Sequence, residues 1–207
     1  MSFFEPPPPP PEPPKEHRQP AWSGPPENEL GVAVPVRSIL FRSEDLVIAL
    51  QGLVVFSSGF ELQVVMRWRE APEEPDLMHF HMHRRRARGG ELAPEVFRFG
   101  VEYQDGRKAT NLGFPFGHEE PAGPVLMERG GGGGGRSWSF GYWLWPLPPP
   151  GPLRVVIEWP VAGIPLTAVE LDGAALAAAA ADVEVLWRDD GGPPSGDSTW
   201  STISELR

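Results

Sequence analysis

The sequence predicts an all-β protein, an antiparallel β-sandwich, and three observations carry that prediction. First, apolar residues alternate with polar or small ones. Phe60, Leu62, Val64, Met66 and Trp68 fall on one face of a strand, and so do Phe97, Phe99, Val101 and Tyr103. A period of two marks a strand with one buried face. Second, Gly, Pro, Asp and Ser recur between these runs, as turns between short strands require. Third, a single alanine-rich segment favours helix. Immunoglobulin-like and jelly-roll styles both suit such a pattern, and a closed barrel is the alternative.

The most strongly patterned stretch is Arg136–Trp159, RSWSFGYWLWPLPPPGPLRVVIEW. It reads as two strands joined by a proline-rich loop. Trp138, Phe140, Tyr142 and Leu144 share a face of the first; Leu153, Val155, Ile157 and Trp159 share a face of the second.

The remaining elements follow in chain order. Residues 1–29 contain 11 of the 27 prolines, six of them consecutive from Pro6 to Pro11. Proline fixes φ and donates no backbone hydrogen bond, so a disordered or polyproline II tail is expected. Such a tail is either solvated or a ligand for a proline-binding groove; Phe3, Phe4 and Trp22 are able to pin it. Leu30–Phe41 reads as a first strand with Pro35 at an edge. Asp45–Phe56 and Phe60–Arg69 form a hairpin over Ser57-Ser58-Gly59, with Gly52 marking a β-bulge. Residues 70–94 read as a loop. Glu95–Tyr103 returns to alternation, Asp105-Gly106 turns the chain, and Arg107–Leu112 pairs back. A loop spans Gly113–Gly123, and Pro124–Arg129 is a short strand. The six glycines Gly130–Gly135 read as a flexible linker. Thr167–Leu171 is extended. Asp172 N-caps a helix over Gly173–Ala181. Val183, Val185 and Trp187 form a last strand facing the core. The organisation is therefore a tail (1–29), a β-sandwich domain (30–190) and a flexible C-terminal tail (191–207) containing Trp200.

Composition excludes several activities. The net charge of −10 argues against a general nucleic-acid binder, which needs a dense cationic surface. Cysteine is absent, so thiol nucleophiles, disulfides and Cys-ligated metals are excluded. No apolar run reaches the roughly 18 residues of a membrane span, and the N-terminus lacks the pattern of a signal peptide. A cytoplasmic protein without membrane contact is expected. The 16 arginines against 2 lysines, with abundant Ala, Gly and Pro, fit coding bias of a GC-rich genome.

Four motifs invite a chemical reading. His79, His81 and His83 would project together if extended, and imidazole suits Zn, Cu, Ni or Fe. Glu73, Glu74, Asp76 or the distant His118-Glu119-Glu120 would supply a fourth ligand. Against a metal, Arg84, Arg85, Arg86 and Arg88 follow at once and repel a cation. Those arginines in turn suit an anion or an acidic partner, or else compensate the acidic half of their own loop. GGGGGGRS (130–137) imitates a phosphate loop, but an alternating strand follows it where that motif needs a helix, and Arg136 replaces the lysine. Trp138-Ser139-Phe140-Gly141 lacks the first glycine of a nucleophile elbow. No catalytic residue and no cofactor is assigned. Trp143 and Trp145 lie opposite the predicted core face, beside Ser137, Ser139 and Gly141. They are either an exposed interaction surface or covered by the proline loop or the tail.

The block EWPVAGIPLTAVELDGAALAAAAADVEVLW, with the preceding FGYWLWPLPPPGPL, resembles uncharacterised β-rich proteins of GC-rich, actinobacteria-like bacteria. That resemblance implies a bacterial cytoplasmic origin and carries no activity, cofactor or site residue. The functional expectation is a non-catalytic binding or assembly module acting through a protein partner. The alternatives are a metal-binding protein or metal-dependent enzyme using the histidine loop, and a carbohydrate-binding module using the two indoles.

Overall fold

The first hairpin forms where alternation is strongest. In a computed structural model of the chain, strand β4 (Leu46–Val55) pairs antiparallel with β5 (Phe60–Trp68). The described residues are 19–72, 92–113 and 120–187, and all but Gln19 belong to one compact unit. The expected bulge is present: the register shifts between Leu50 and Leu53, and Gly52 sits at φ 145°. The segment expected as one first strand is divided into β1 (Glu29–Leu30), β2 (Val32–Val34) and β3 (Ser38–Arg42). Pro35 lies in the gap between β2 and β3, which lie along one flank of β4.

Three more hairpins follow. They are β6 (Arg98–Glu102) with β7 (Lys108–Thr110), β8 (Val125–Gly134) with β9 (Ser137–Trp145), and β10 (Pro152–Trp159) with β11 (Ile164–Asp172). The hairpins alternate between two sheets. The first and third join through β5 and β9 into a six-stranded sheet, with β2 and β3 beside β4 and β8 at the far end. The second and fourth join through β6 and β10 into a four-stranded sheet, β11-β10-β6-β7. Each sheet is antiparallel throughout, and the fold is all-β, with one α-helix among the described residues.

The two inner faces make one core. Ile48, Leu50, Phe60, Val64 and Met66 come from one sheet; Phe99, Val101, Val155 and Ile157 come from the other. Phe99 of β6 stacks on Tyr142 of β9, ring centroids 4.6 Å apart, which joins the sheets at their centre. Asn111 is the one buried polar residue recorded among the described residues. It stands in for strand backbone: its Nδ2 donates to the Phe97 carbonyl at 3.0 Å and its Oδ1 accepts from the Phe99 N–H at 2.9 Å.

Helix α1 (Gly173–Ala181) forms where capping and alanine content place it. The Asp172 carboxylate accepts from the Ala174 N–H at 2.9 Å, satisfying one free donor of the first turn. Leu176 and Ala179 attach the helix to the core.

Three expectations are corrected. Gly130–Gly134 is strand, not linker: it continues β8 against β9, and only Gly135 turns the chain, at φ 54°. At the inward-facing Gly131 and Gly133, aromatic rings occupy the space a side chain would fill. A Cβ on Gly131 would lie 2.9 Å from Phe140 Cδ1, and one on Gly133 would lie 2.8 Å from Trp138 Cγ. Val183–Trp187 does not add a core strand. Its strand β12 (Glu184–Val185) pairs with β1 off the sandwich, and Val185 and Trp187 are exposed. The packed fold also reaches back beyond Leu30 to Pro20, since Trp22 is buried.

Candidate functional site

The outward face of a sheet in a sandwich is ordinarily polar, and the two sheets differ sharply in this. On the four-stranded sheet the outward side chains compensate one another. Arg154 and Lys108 both meet Glu102, and Arg98 meets Glu158. A shallow hollow of about 250 Å³ lies between these pairs, floored by Gly100 and Val156 and flanked by Leu166. Every cation of that group has its carboxylate, which describes a solvated face.

The outward face of the six-stranded sheet is built otherwise. Pairing register places Ile39, Ala49 and Val65 side by side across β3, β4 and β5. Val47 and Val54 share that face, and Val65 is 7% exposed. Arg37 and Arg42 line the hollow over this floor, Arg67 stands beside Val47, and Arg129 lines the adjoining hollow with Glu61, the one carboxylate lining either hollow among the described residues. Arg67 and Arg129 donate to backbone carbonyls of Trp138 and Ser23. Arg37 and Arg42 have no acidic partner among the described residues. Two adjoining hollows of about 650 Å³ each meet at Gln51. One is lined by Arg37, Ile39 and Arg42; the other by Gln63, Gly141, Gly130 and Arg129.

One end of the face is already covered by the chain itself. Trp143 is fully buried, its indole N–H donating to the Ala21 carbonyl at 3.1 Å and its ring meeting Phe56 edge-on at 5.8 Å. Residues 20–31 cross this end closely. A Cβ on Gly31 would fall 2.7 Å from Val54 Cγ1 and 2.8 Å from the Phe56 ring. Of the two readings of these indoles, exposed surface or covered by the chain, the covered one holds for Trp143, so its place on an exposed binding surface is corrected. Trp143 is a buried support beneath the N-terminal segment, and Trp145 is half-buried. The apolar and small outward residues of β9 made the covering favourable, because an open indole there would leave a large apolar area in water.

The other expected sites fall elsewhere. His79, His81, His83, Arg84, Arg85, Arg86 and Arg88 lie outside the described residues, as do His118 and Glu119. Among the described residues no group of three or more His, Asp or Glu is placed to hold a metal ion. No helix of the described residues is long and apolar enough to cross a membrane. Among the described residues two titratable groups are clearly displaced, and both belong to the β6–β7 hairpin. Burial pushes the Tyr103 hydroxyl up, and the Arg107 backbone N–H holds the Asp105 carboxyl below its usual range.

The arginine-rimmed face was not singled out by sequence, yet two signals for it are visible there. Val65 breaks the polar side of β5. The run LVIALQGLVV of β4 is nearly continuous in apolar residues, as expected of a strand covered on both faces. Compared with known proteins, the chain matches no family model, no curated protein and no solved structure.

Proposed function

We propose that the protein is a non-catalytic binding module, and that the outward face of its six-stranded sheet docks an acidic segment of a protein partner. The observation that carries this reading is the charge imbalance over an apolar floor. Among the described residues, Arg37 and Arg42 flank Ile39, Ala49 and Val65 without a carboxylate in that hollow, and Arg67 and Arg129 extend the cationic face beside a single Glu61, in a chain of net charge −10. An isolated cationic patch on an acidic protein steers anionic partners toward one orientation. The floor supplies apolar area, and guanidinium forks suit bidentate carboxylate binding. A carbohydrate reading loses one of its two indoles, since Trp143 is buried.

Site-directed photo-crosslinking tests the proposal. A photoreactive residue at Ile39 is expected to capture an acidic segment, and the double variant Arg37→Glu/Arg42→Glu is expected to abolish the adduct. The same residue placed at Ala168, on the outward face of the other sheet, should give none. Equal capture from both faces, or capture indifferent to charge reversal, would overturn the reading.

A further inference from the structure

The hollow lined by Arg129 and Glu61 crosses five strands of the six-stranded sheet, in the order β8, β9, β5, β4 and β2. Its lining runs from Gly130 through Gly141 and Gln63 to Gln51 and Gly52, and ends at Pro35 beside β2. Pairing register sets Gly130 opposite Gly141 and Gly141 opposite Gln63, so these residues form one row across the strands. No atom comes closer than 3.7 Å to where Gly141 would carry a Cβ, and nothing lies within 4 Å of those positions on Gly52 and Gly130. The row is therefore a furrow floored largely by backbone. Residues 20–31 form one wall: the Ala21 carbonyl bonds Trp143, the Ser23 carbonyl bonds Arg129, and Gly31 lies against Val54. Among the described residues, no hydrogen bond uses the side-chain amide of Gln51 or Gln63. Charge alternates along the furrow. Arg129 stands at the β8 end and Glu61 on the central strand β5. Arg37 stands two residues beyond Pro35, on the hollow that adjoins at Gln51.

Given that this face docks an acidic segment, the reading on which the inference rests, we infer that the segment lies in the furrow as one extended peptide crossing the strands. It carries acidic residues at its two ends and a basic residue between them. Five strands about 4.8 Å apart span about 19 Å, which an extended chain covers in about six residues. The end carboxylates meet Arg129 and Arg37, and the central cation meets Glu61. Arg129 donates one Nη hydrogen to the Ser23 carbonyl at 3.2 Å, which leaves further donors on its guanidinium. The glutamine amides offer both donors and acceptors to the peptide backbone, and the glycine floor lets that backbone approach closely. A peptide acidic throughout would set a carboxylate against Glu61. The furrow thus selects the order of charges and not only their sum.

Two fluorescent synthetic peptides of identical composition, with blocked termini, test this on the full chain by anisotropy. One is Glu-Gly-Ser-Lys-Ser-Gly-Glu. The other, Lys-Gly-Ser-Glu-Glu-Ser-Gly, holds the same charges in another order. The first is expected to bind at least about tenfold more tightly. Gly141→Val, which fills the furrow floor, should remove that preference, whereas Ala168→Val on the outward face of the other sheet should keep it. Glu61→Lys should transfer the preference to Glu-Gly-Ser-Glu-Ser-Gly-Glu, a gain that a misfolded variant would not show. Equal affinity for the two charge orders, a preference that survives Gly141→Val, or no transfer in Glu61→Lys would overturn the furrow. If both orders bind equally and Arg37→Glu/Arg42→Glu abolishes both, the docking face stands without it. If neither peptide binds, the furrow falls, and crosslinking at Ile39 decides the face by itself.

Discussion

At the scale of single residues, neighbouring glycines in one run have opposite roles. Gly133 faces inward, where an added Cβ would stand 2.2 Å from the Ser137 carbonyl oxygen and 2.6 Å from Trp138 Cα. Both are backbone atoms, so neither yields without breaking the β8–β9 ladder. Gly132 faces outward into open space. Gly133→Ala is therefore expected to destabilise by about 2 kcal/mol or more, as overpacking does. Gly132→Ala should be neutral or stabilise by roughly 0.4–1 kcal/mol, because alanine lowers the entropy of the unfolded chain. Urea denaturation of the two single variants checks the contrast. Equal effects would mean that the rings of Trp138 and Phe140 do not fill the glycine positions.

At the scale of elements, the sequence carries local pairing well and long-range covering poorly. The β4–β5 hairpin, the bulge at Gly52 and the helix capped by Asp172 follow from residues close together in the chain. Their causes are alternation, a positive-φ glycine and a side-chain cap. The glycine run was misleading because composition suggests a linker, while its actual partners, Trp138 and Phe140, lie on the returning strand. Trp143 was ambiguous for a similar reason: what covers it is a segment about 120 residues earlier in the chain. The charged rim joins residues from β3, β5 and β8 and their flanks, so only strand order brings it together. The covering segment makes its own prediction. Trp22→Ala should cost about 3 kcal/mol, in the range for a buried tryptophan, and should increase solvent access to Trp143. Tryptophan fluorescence would shift to the red before global unfolding. A variant with unchanged stability and emission would show that residues 20–31 are not held as described. The same burial means that replacing Trp143 removes support from the fold and does not by itself probe binding.

At the scale of the whole molecule, the two sheets are joined near one end by a hydrogen bond whose donor is a buried phenol. Tyr103 follows β6 of the four-stranded sheet, and its hydroxyl donates to the carbonyl of Pro146, just after β9 of the six-stranded sheet. Tyr103 is 2% exposed. Burial raises its pKa above the ordinary value of 10.0; the Arg107 guanidinium, 5.3 Å from the ring centroid, opposes that shift, and Asp105 adds to it. The folded protein thus holds the phenolic proton more tightly than the unfolded chain does. The stability this supplies is fully present below pH 10 and declines as pH rises above that value toward the higher folded pKa. Ionisation would also remove the donor that faces the Pro146 carbonyl, leaving two acceptors opposed. Tyr103→Phe should cost about 1 kcal/mol near neutral pH, the net worth of one such bond. It should also flatten the decline of stability between pH 8 and pH 11, because the variant has no proton to lose at this position. Urea melts of both proteins across that range give the comparison. Parallel curves would show that the alkaline loss arises elsewhere and that this junction does not couple the two sheets to pH.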